Sequence, residues 1–185
     1  IQQESGVDAQ VLSVPHLELA LDESEIPELK SEVERINGFD QFKSRWLEPS
    51  EIHALEPRIT PDNLGGTLVE DVIMLDSYNL TLATAQAAES RGVEIVLGEA
   101  TGVIYDGDRA VGVNVTGGRI DCDAVVLALG PWSGTASLWM DINIPIVPQK
   151  GEIIRVEGLN PPLVIHIHGN PMGSSCSVIQ KGDGA

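Results

Sequence analysis

The sequence predicts a mixed α/β fold, and three observations carry that prediction. Six apolar residues run unbroken from Ala124 to Leu129, the pattern of a strand buried on both faces of a parallel sheet. A helix, a glycine and a strand follow one another from Tyr78 to Leu97, the order of a crossover in an α/β sheet. Between these runs, Thr101 to Asp121 has no helical periodicity and is cut by Asp106-Gly107-Asp108 and Gly117-Gly118, which predicts a three-stranded antiparallel meander.

Taken in order, His16 to Leu21 alternates, with Leu17, Leu19 and Leu21 on one side, and reads as a strand with one buried face. From Ser24 to Ile36 the apolar positions Ile26, Leu29, Val33 and Ile36 recur at spacings of three and four among charged residues, which predicts an amphipathic helix. Pro27 falls in its first turn, where the missing N–H costs nothing, and Asn37-Gly38 ends it. Its acidic residues from Glu23 to Glu34 read as a solvated face. Pro49 to Glu56 is a short helix closed by Pro57, Gly65-Gly66 a tight turn, and Thr67 to Glu70 a short strand.

Asp76 or Ser77 caps a helix from Tyr78 to Arg91 whose buried stripe is Leu80, Ala83, Ala87 and Ala88. Gly92 stops it, and Val93 to Leu97 is the next strand. The meander strands are Thr101–Tyr105, Ala110–Val115 and Arg119–Asp121, leading into the Ala124–Leu129 strand of an otherwise parallel sheet. Beyond Trp139, Ile144 to Pro148 is held extended by its prolines. Gly151–Val156, Leu163–His168 and Ser177–Gln180 then read as strands.

Composition bounds the function. The 185 residues are enough for one domain or two small ones. Asp and Glu number 28 against 11 Lys and Arg, a formal charge of -17, and such a surface repels nucleic acid and anionic lipid. No apolar run reaches the roughly 20 residues that span a bilayer, and the first residues lack the basic and apolar regions of a signal peptide. The expectation is a cytoplasmic protein without nucleic-acid or membrane partners. Two cysteines, Cys122 and Cys176, are too few for a disulfide framework and are expected to be buried free thiols. Ile1 is not an initiator and Lys181-Gly-Asp-Gly-Ala185 stops at a turn signal, so both ends look cut.

One stretch organises the chain. Ala124-Val-Val-Leu-Ala-Leu-Gly-Pro-Trp-Ser-Gly134 reads as strand, glycine-bearing turn and helix start, an arrangement that places a ligand at the carboxyl end of a strand. Gly130 allows a close approach to another backbone or a ligand, and Pro131 presets a helical start. An ordinary strand-to-helix turn with Trp132 as a core anchor is the other reading of the same residues.

Four stretches, in order, resemble the D-amino acid oxidase and glycine oxidase family of FAD-dependent oxidoreductases. They are Leu75-Asp-Ser-Tyr-Asn-Leu80, Gly92-Val-Glu-Ile95 through Thr101-Gly-Val103, Leu127-Ala-Leu-Gly-Pro-Trp-Ser-Gly134, and Val147-Pro-Gln-Lys-Gly-Glu152. The resemblance covers about residues 70 to 152 and is looser before them, where Leu55-Glu-Pro57 matches. It implies part of a glutathione-reductase-like FAD-binding sheet with its meander, plus part of an antiparallel substrate-domain sheet. Residues 1–70 are then a substrate-domain portion, 71–140 an FAD-domain portion, and 141–185 a substrate-domain sheet portion.

The resemblance also implies the chemistry. FAD would be the cofactor, contacted by Thr101, Ala128, Leu129, Gly130 and Trp132, with Lys150 and Gly151 on the substrate side. The reaction would be hydride transfer to flavin from the carbon bearing the nitrogen of a small amine or amino acid, and no catalytic residue is nameable. The family's Gly-x-Gly-x-x-Gly strand-turn-helix and its acidic ribose partner are absent, as is its C-terminal glycine-rich segment. The expected protein is therefore the middle of such an enzyme, inactive alone and not holding FAD tightly. The alternative is a non-catalytic α/β module acting by protein association, including a homodimer through exposed sheet edges.

His166 and His168 lie two apart on a predicted strand and share a face. They make a two-ligand clip at most, because zinc needs a third and fourth ligand that this spacing does not supply. No metal is expected. Asp106-Gly107-Asp108 lacks the twelve-residue calcium-loop pattern and reads as a hairpin turn.

Overall fold

In the computed structural model, which describes residues 1–180, strand β1 (Leu12–Leu19) is the centre of a five-stranded sheet. Lys181-Gly-Asp-Gly-Ala185 lies outside the described residues. The chain divides into two compact units, one of Ile1–Gly92 with the chain from Ile154 onward, the other Val93–Ile153.

The first unit begins with a single turn, α1 (Gln2–Ser5). Strand β1 then pairs antiparallel with β3 (Gly66–Met74), matching Leu17 with Leu68, and parallel with β7 (His166–Gly169), matching His16 with His166. The register of β1 slips between Val14 and His16, around Pro15, which has no N–H to give the ladder. β2 (Ser44–Leu47) flanks β3, and β8 (Cys176–Val178) flanks β7, both antiparallel. One face of this sheet carries the core: Leu17, Leu19, Leu47, Ile52, Ile59, Leu68, Leu163 and Ile165 pack as one cluster. Leu17, Leu47 and Ile52 are the largest fully enclosed side chains, each contributing about 1.5–3 kcal/mol by leaving water. Ile52 comes from α3 (Pro49–Leu55).

Helix α2 (Ile26–Asn37) is preceded by a 3-10 turn at Glu23–Glu25 and buries Leu29, whose carbonyl accepts from the Thr67 hydroxyl at 2.9 Å. Thr67 alternates with Leu68 along β3, so α2 lies on the face opposite the core. Asp22 caps the entry in a capping box with Glu25. At the exit Gly38 stays right-handed, and the stop is made by Asn37, whose side-chain amide grips both backbone groups of Ser44 at 2.8 Å. Helix α4 (Ser77–Glu89) is capped by Asp76 accepting from Asn79 N–H at 2.8 Å, and it buries Ala83 and Ala87.

The second unit holds the meander as the sequence predicts it: β4 (Ala100–Asp106), β5 (Arg109–Val115) and β6 (Gly118–Asp121), antiparallel in that order. Gly107 and Gly117 take positive φ at its two turns, which glycine adopts without steric cost. A 3-10 helix spans Gly130–Leu138.

Three expected strands do not form. Val93–Leu97, Ala124–Leu129 and Gly151–Val156 have no ladder partner among the described residues. Leu97 is 98 % exposed, Val126 89 % and Ile153 96 %. A strand needs neighbours to receive its N–H and C=O groups, and composition alone supplies none. The parallel sheet expected around them is therefore absent among the described residues, and the one parallel pairing is β1 with β7. Smaller differences also appear: β3 extends to Met74, the strand expected at Leu163 starts at His166, and β2 carried too few residues to show a period. Both cysteines are free, but Cys176 is exposed and Cys122 only half-buried, so the expectation of buried thiols is corrected.

Candidate functional site

Two places in the molecule gather chemistry-bearing groups, one in each unit. The first is the turn after Ala124–Leu129. Ala128, Leu129, Gly130 and Trp132 are brought together because the chain reverses there: Gly130 sits at φ 54°, and Trp132 N–H closes the turn on the Leu129 carbonyl at 3.1 Å. Ser133 Oγ donates to the Gly130 carbonyl and Thr135 Oγ1 to that of Trp132, both at 2.7 Å. The Trp132 indole is 65 % exposed, so it is an open apolar surface here and not a core anchor.

Gly130 and Gly134 divide the work that the sequence assigned to Gly130. No atom lies within 4 Å of where a Gly130 side chain would point, so its role is the left-handed conformation, and the space beside it is open. The close backbone approach belongs to Gly134, where a methyl group would run into the carbonyl oxygen of Ile146. Thr101 lies near the start of β4, exposed, with its hydroxyl donating to the Asn114 carbonyl at 3.4 Å. Lys150 and Gly151 lie in an exposed irregular segment, and Lys150 Nζ pairs with Glu152 at 2.7 Å. The residues from Ala128 to Gly134 thus offer an open backbone bend and an exposed indole, suited to a flat ring. They include no Lys or Arg for a pyrophosphate.

The second place is the face of the five-stranded sheet opposite the core. Parallel pairing of β1 with β7 sets His16 beside His166, and Glu18 beside His168. The Nδ1 atoms of His16 and His166 are 3.0 Å apart, with ring centroids 4.6 Å apart and planes at 69°. The His168 ring lies 6.3 Å from that of His16, and its Nδ1 is 2.7 Å from Ser177 Oγ on β8. Burial first, and then the neighbouring imidazoles, push His16 and His166 below the ordinary histidine value, which favours the neutral form of both. Alternation along the strand flagged His166 and His168. It could not flag His16, 150 residues away, because nothing local marks which strand will pair.

Next to this cluster opens a cleft of about 260 Å³ lined by Glu18, Glu25, Glu28, Glu32, Leu29 and Asn170. The Glu25 carboxylate is held below its usual range, chiefly by the Leu21 N–H, which donates to it at 2.8 Å. Among the described residues no three His, Cys, Asp or Glu side chains converge to enclose a metal ion, and no helix is long and apolar enough to cross a membrane.

The family model described as FAD dependent oxidoreductase (DAO) matches residues 1–184. The hydrogen cyanide synthase subunit HcnC of Pseudomonas protegens is 30 % identical over 143 residues, which is 76 % of this chain and 33 % of that protein. Glycine oxidase of Bacillus subtilis is 28 % identical over 162 residues, 86 % of this chain and 42 % of that one. In structure, the chain superposes on glycine oxidase from Geobacillus kaustophilus with a TM-score of 0.86 at 23 % identity, covering 98 % of this chain and 48 % of the other. L-proline dehydrogenase from P. horikoshii gives a TM-score of 0.76 at 17 % identity, covering 99 % and 49 %. These likenesses show a shared fold. The chain spans 33 % of HcnC and 42 % of the B. subtilis enzyme, so it corresponds to less than half the length of either.

Proposed function

Because the chain belongs to the DAO family of FAD-dependent oxidoreductases, we propose that it is part of an enzyme that oxidises a C–N bond of a small amine or amino acid. The observation carrying this reading is the family match along nearly the whole chain, residues 1–184. It is joined by a fold shared with glycine oxidase and by relatives named as glycine oxidases. The flavin, when bound, supplies the hydride acceptor.

In this reading the segment 71–140 is the flavin side, and segments 1–70 and 141–185 are the substrate side. Ala128, Leu129, Gly130 and Trp132 provide one apolar wall of the cofactor site: Gly130 leaves its backbone open to a ring, and Trp132 excludes water from it. Thr101 presents backbone near the adenine end, and Lys150 with Gly151 borders the substrate. The chain's own part in the reaction is orientation and exclusion of water, which converts an encounter into a positioned transfer. The location is cytoplasmic.

This chain alone does not retain FAD in our reading, because its sequence has no Gly-x-Gly-x-x-Gly phosphate-binding turn. The test is gel filtration of the purified chain after incubation with excess FAD. A colourless protein peak is expected, and a yellow, flavin-fluorescent one would refute the statement about this segment. Amine-dependent reduction of flavin by a longer polypeptide containing this chain tests the enzymatic reading, which fails if no primary or secondary amine or amino acid bleaches the flavin band.

A second reading is favoured by the exposed apolar runs at Val93–Leu97 and Ala124–Leu129. They suit association with another polypeptide or a second copy of this chain, without catalysis. A homodimer that leaves added FAD in the small-molecule fraction supports it.

A further inference from the structure

We propose that His16 and His166 form a two-histidine clip for a late first-row divalent cation of the copper(II) or nickel(II) class, bound at the edge of the acidic cleft. The inference is independent of the flavin reading, since both ligands lie in the sheet of the other unit.

The ring geometry carries it. A straight N–H···N bond between imidazoles with their Nδ1 atoms 3.0 Å apart would set the centroids about 5.3 Å apart. The observed centroid separation is 4.6 Å with the planes at 69°, so the two rings are not set head-on, which leaves room for both nitrogens to share an ion. With metal–nitrogen bonds of about 2.05 Å, nitrogens 3.0 Å apart subtend roughly 94° at a shared ion. Rings aligned on those bonds have centroids about 4.7 Å apart, which matches the observed spacing. An angle near 90° is that of neighbouring positions in a tetragonal or octahedral site, which suits copper(II) or nickel(II) over tetrahedral zinc.

The surroundings agree. The parallel register of β1 and β7 holds the two rings from adjacent strands, so little entropy is lost on binding. Burial of both rings favours the neutral, ligating form. Binding needs only that the ring carrying its proton on Nδ1 shift it to Nε2, with no net proton released. Glu18, Glu28 and Glu32 of the adjoining cleft, on a chain of formal charge -17, raise the local cation concentration. The Nδ1 of His168 is engaged with Ser177 Oγ, so water would fill the remaining positions.

The test is titration of the full chain with copper(II), and separately nickel(II), at pH 7, with calorimetry for stoichiometry and electron paramagnetic resonance of the copper form for its ligands. One saturable equivalent with nitrogen hyperfine structure from two imidazoles is expected. His16→Asn and His166→Asn should each weaken binding at least about tenfold, while His53→Asn, at the remaining histidine, leaves it unchanged. Circular dichroism screens each variant for folding, and the hyperfine pattern of the unmodified chain stands if one of them misfolds. The proposal is overturned if there is no saturable binding, if the spectrum shows fewer than two nitrogens, or if folded His16→Asn and His166→Asn proteins bind as tightly as the parent.

Discussion

Replacing Gly134 by alanine tests how the turn at the candidate cofactor wall is held. The added methyl would overlap the Ile146 carbonyl oxygen, with the Ile146 carbonyl carbon at 3.5 Å and the Ile144 oxygen at 3.6 Å. These are backbone atoms, so no side chain can swing aside. Ile144 N–H is also tied to Ser137 Oγ at 2.8 Å, which anchors the segment against the 3-10 helix. Gly134 has no positive φ, so alanine gains about 0.4–1 kcal/mol from a less flexible unfolded chain. Displacing packed backbone costs about 1–3 kcal/mol, leaving a net loss on the order of 1–2 kcal/mol. The readout is urea unfolding followed by tryptophan fluorescence, to which Trp132 and Trp139 contribute from this helix and its end. Gly130→Ala serves as the contrast: it meets no atom, and its cost of about 1–2 kcal/mol is the left-handed conformation alone. A Gly134→Ala protein as stable as the parent, or more so, would refute the close-approach argument.

Two further outcomes follow from the geometry. The Glu56 side chain is 6 % exposed and accepts from Arg58 Nε at 2.7 Å and Nη2 at 2.6 Å, while Arg58 Nη1 reaches the Pro161 carbonyl at 2.7 Å. Glu56→Gln puts a donor against that fork and should cost about 2 kcal/mol at pH 7, below the range for a fully buried pair because Arg58 is 38 % exposed. The Arg58 hydrogen bonds, ahead of its charge, hold Glu56 below its ordinary value of 4.5. The unfolded chain therefore takes up the proton first: the stabilisation is complete above 4.5 and fades as pH falls through the folded value. The gap between the two proteins should narrow as pH falls below 4.5, and a gap that does not change between pH 7 and acid contradicts the assignment. Val126→Lys, at a side chain 89 % exposed, should change stability by no more than about 0.5 kcal/mol. A loss of several kcal/mol would restore the buried strand that the apolar run predicts.

The meander, the helices α2 and α4 and the glycine-bearing turn at Gly130 are legible in the sequence because each is settled by neighbours in the chain. Asp106-Gly107-Asp108 turns the chain wherever it lies, and Asp76 finds its N–H three residues on. Leu17 and Leu19 likewise announce a buried face by alternation. Periodicity, however, says which side of an element is apolar and not what it will meet. Ala124–Leu129 has every local property of an interior strand, yet it stays unpaired because a strand needs a ladder on each side and the described residues supply none. The apposition of His16 with His166, and the packing of the Ile146 carbonyl against Gly134, are likewise set by register and packing between segments that no local pattern links. The sequence by itself determined local turns, caps and amphipathic faces, along with the family. Only the tertiary structure decided which runs become strands and which side chains meet, since those depend on partners far along the chain.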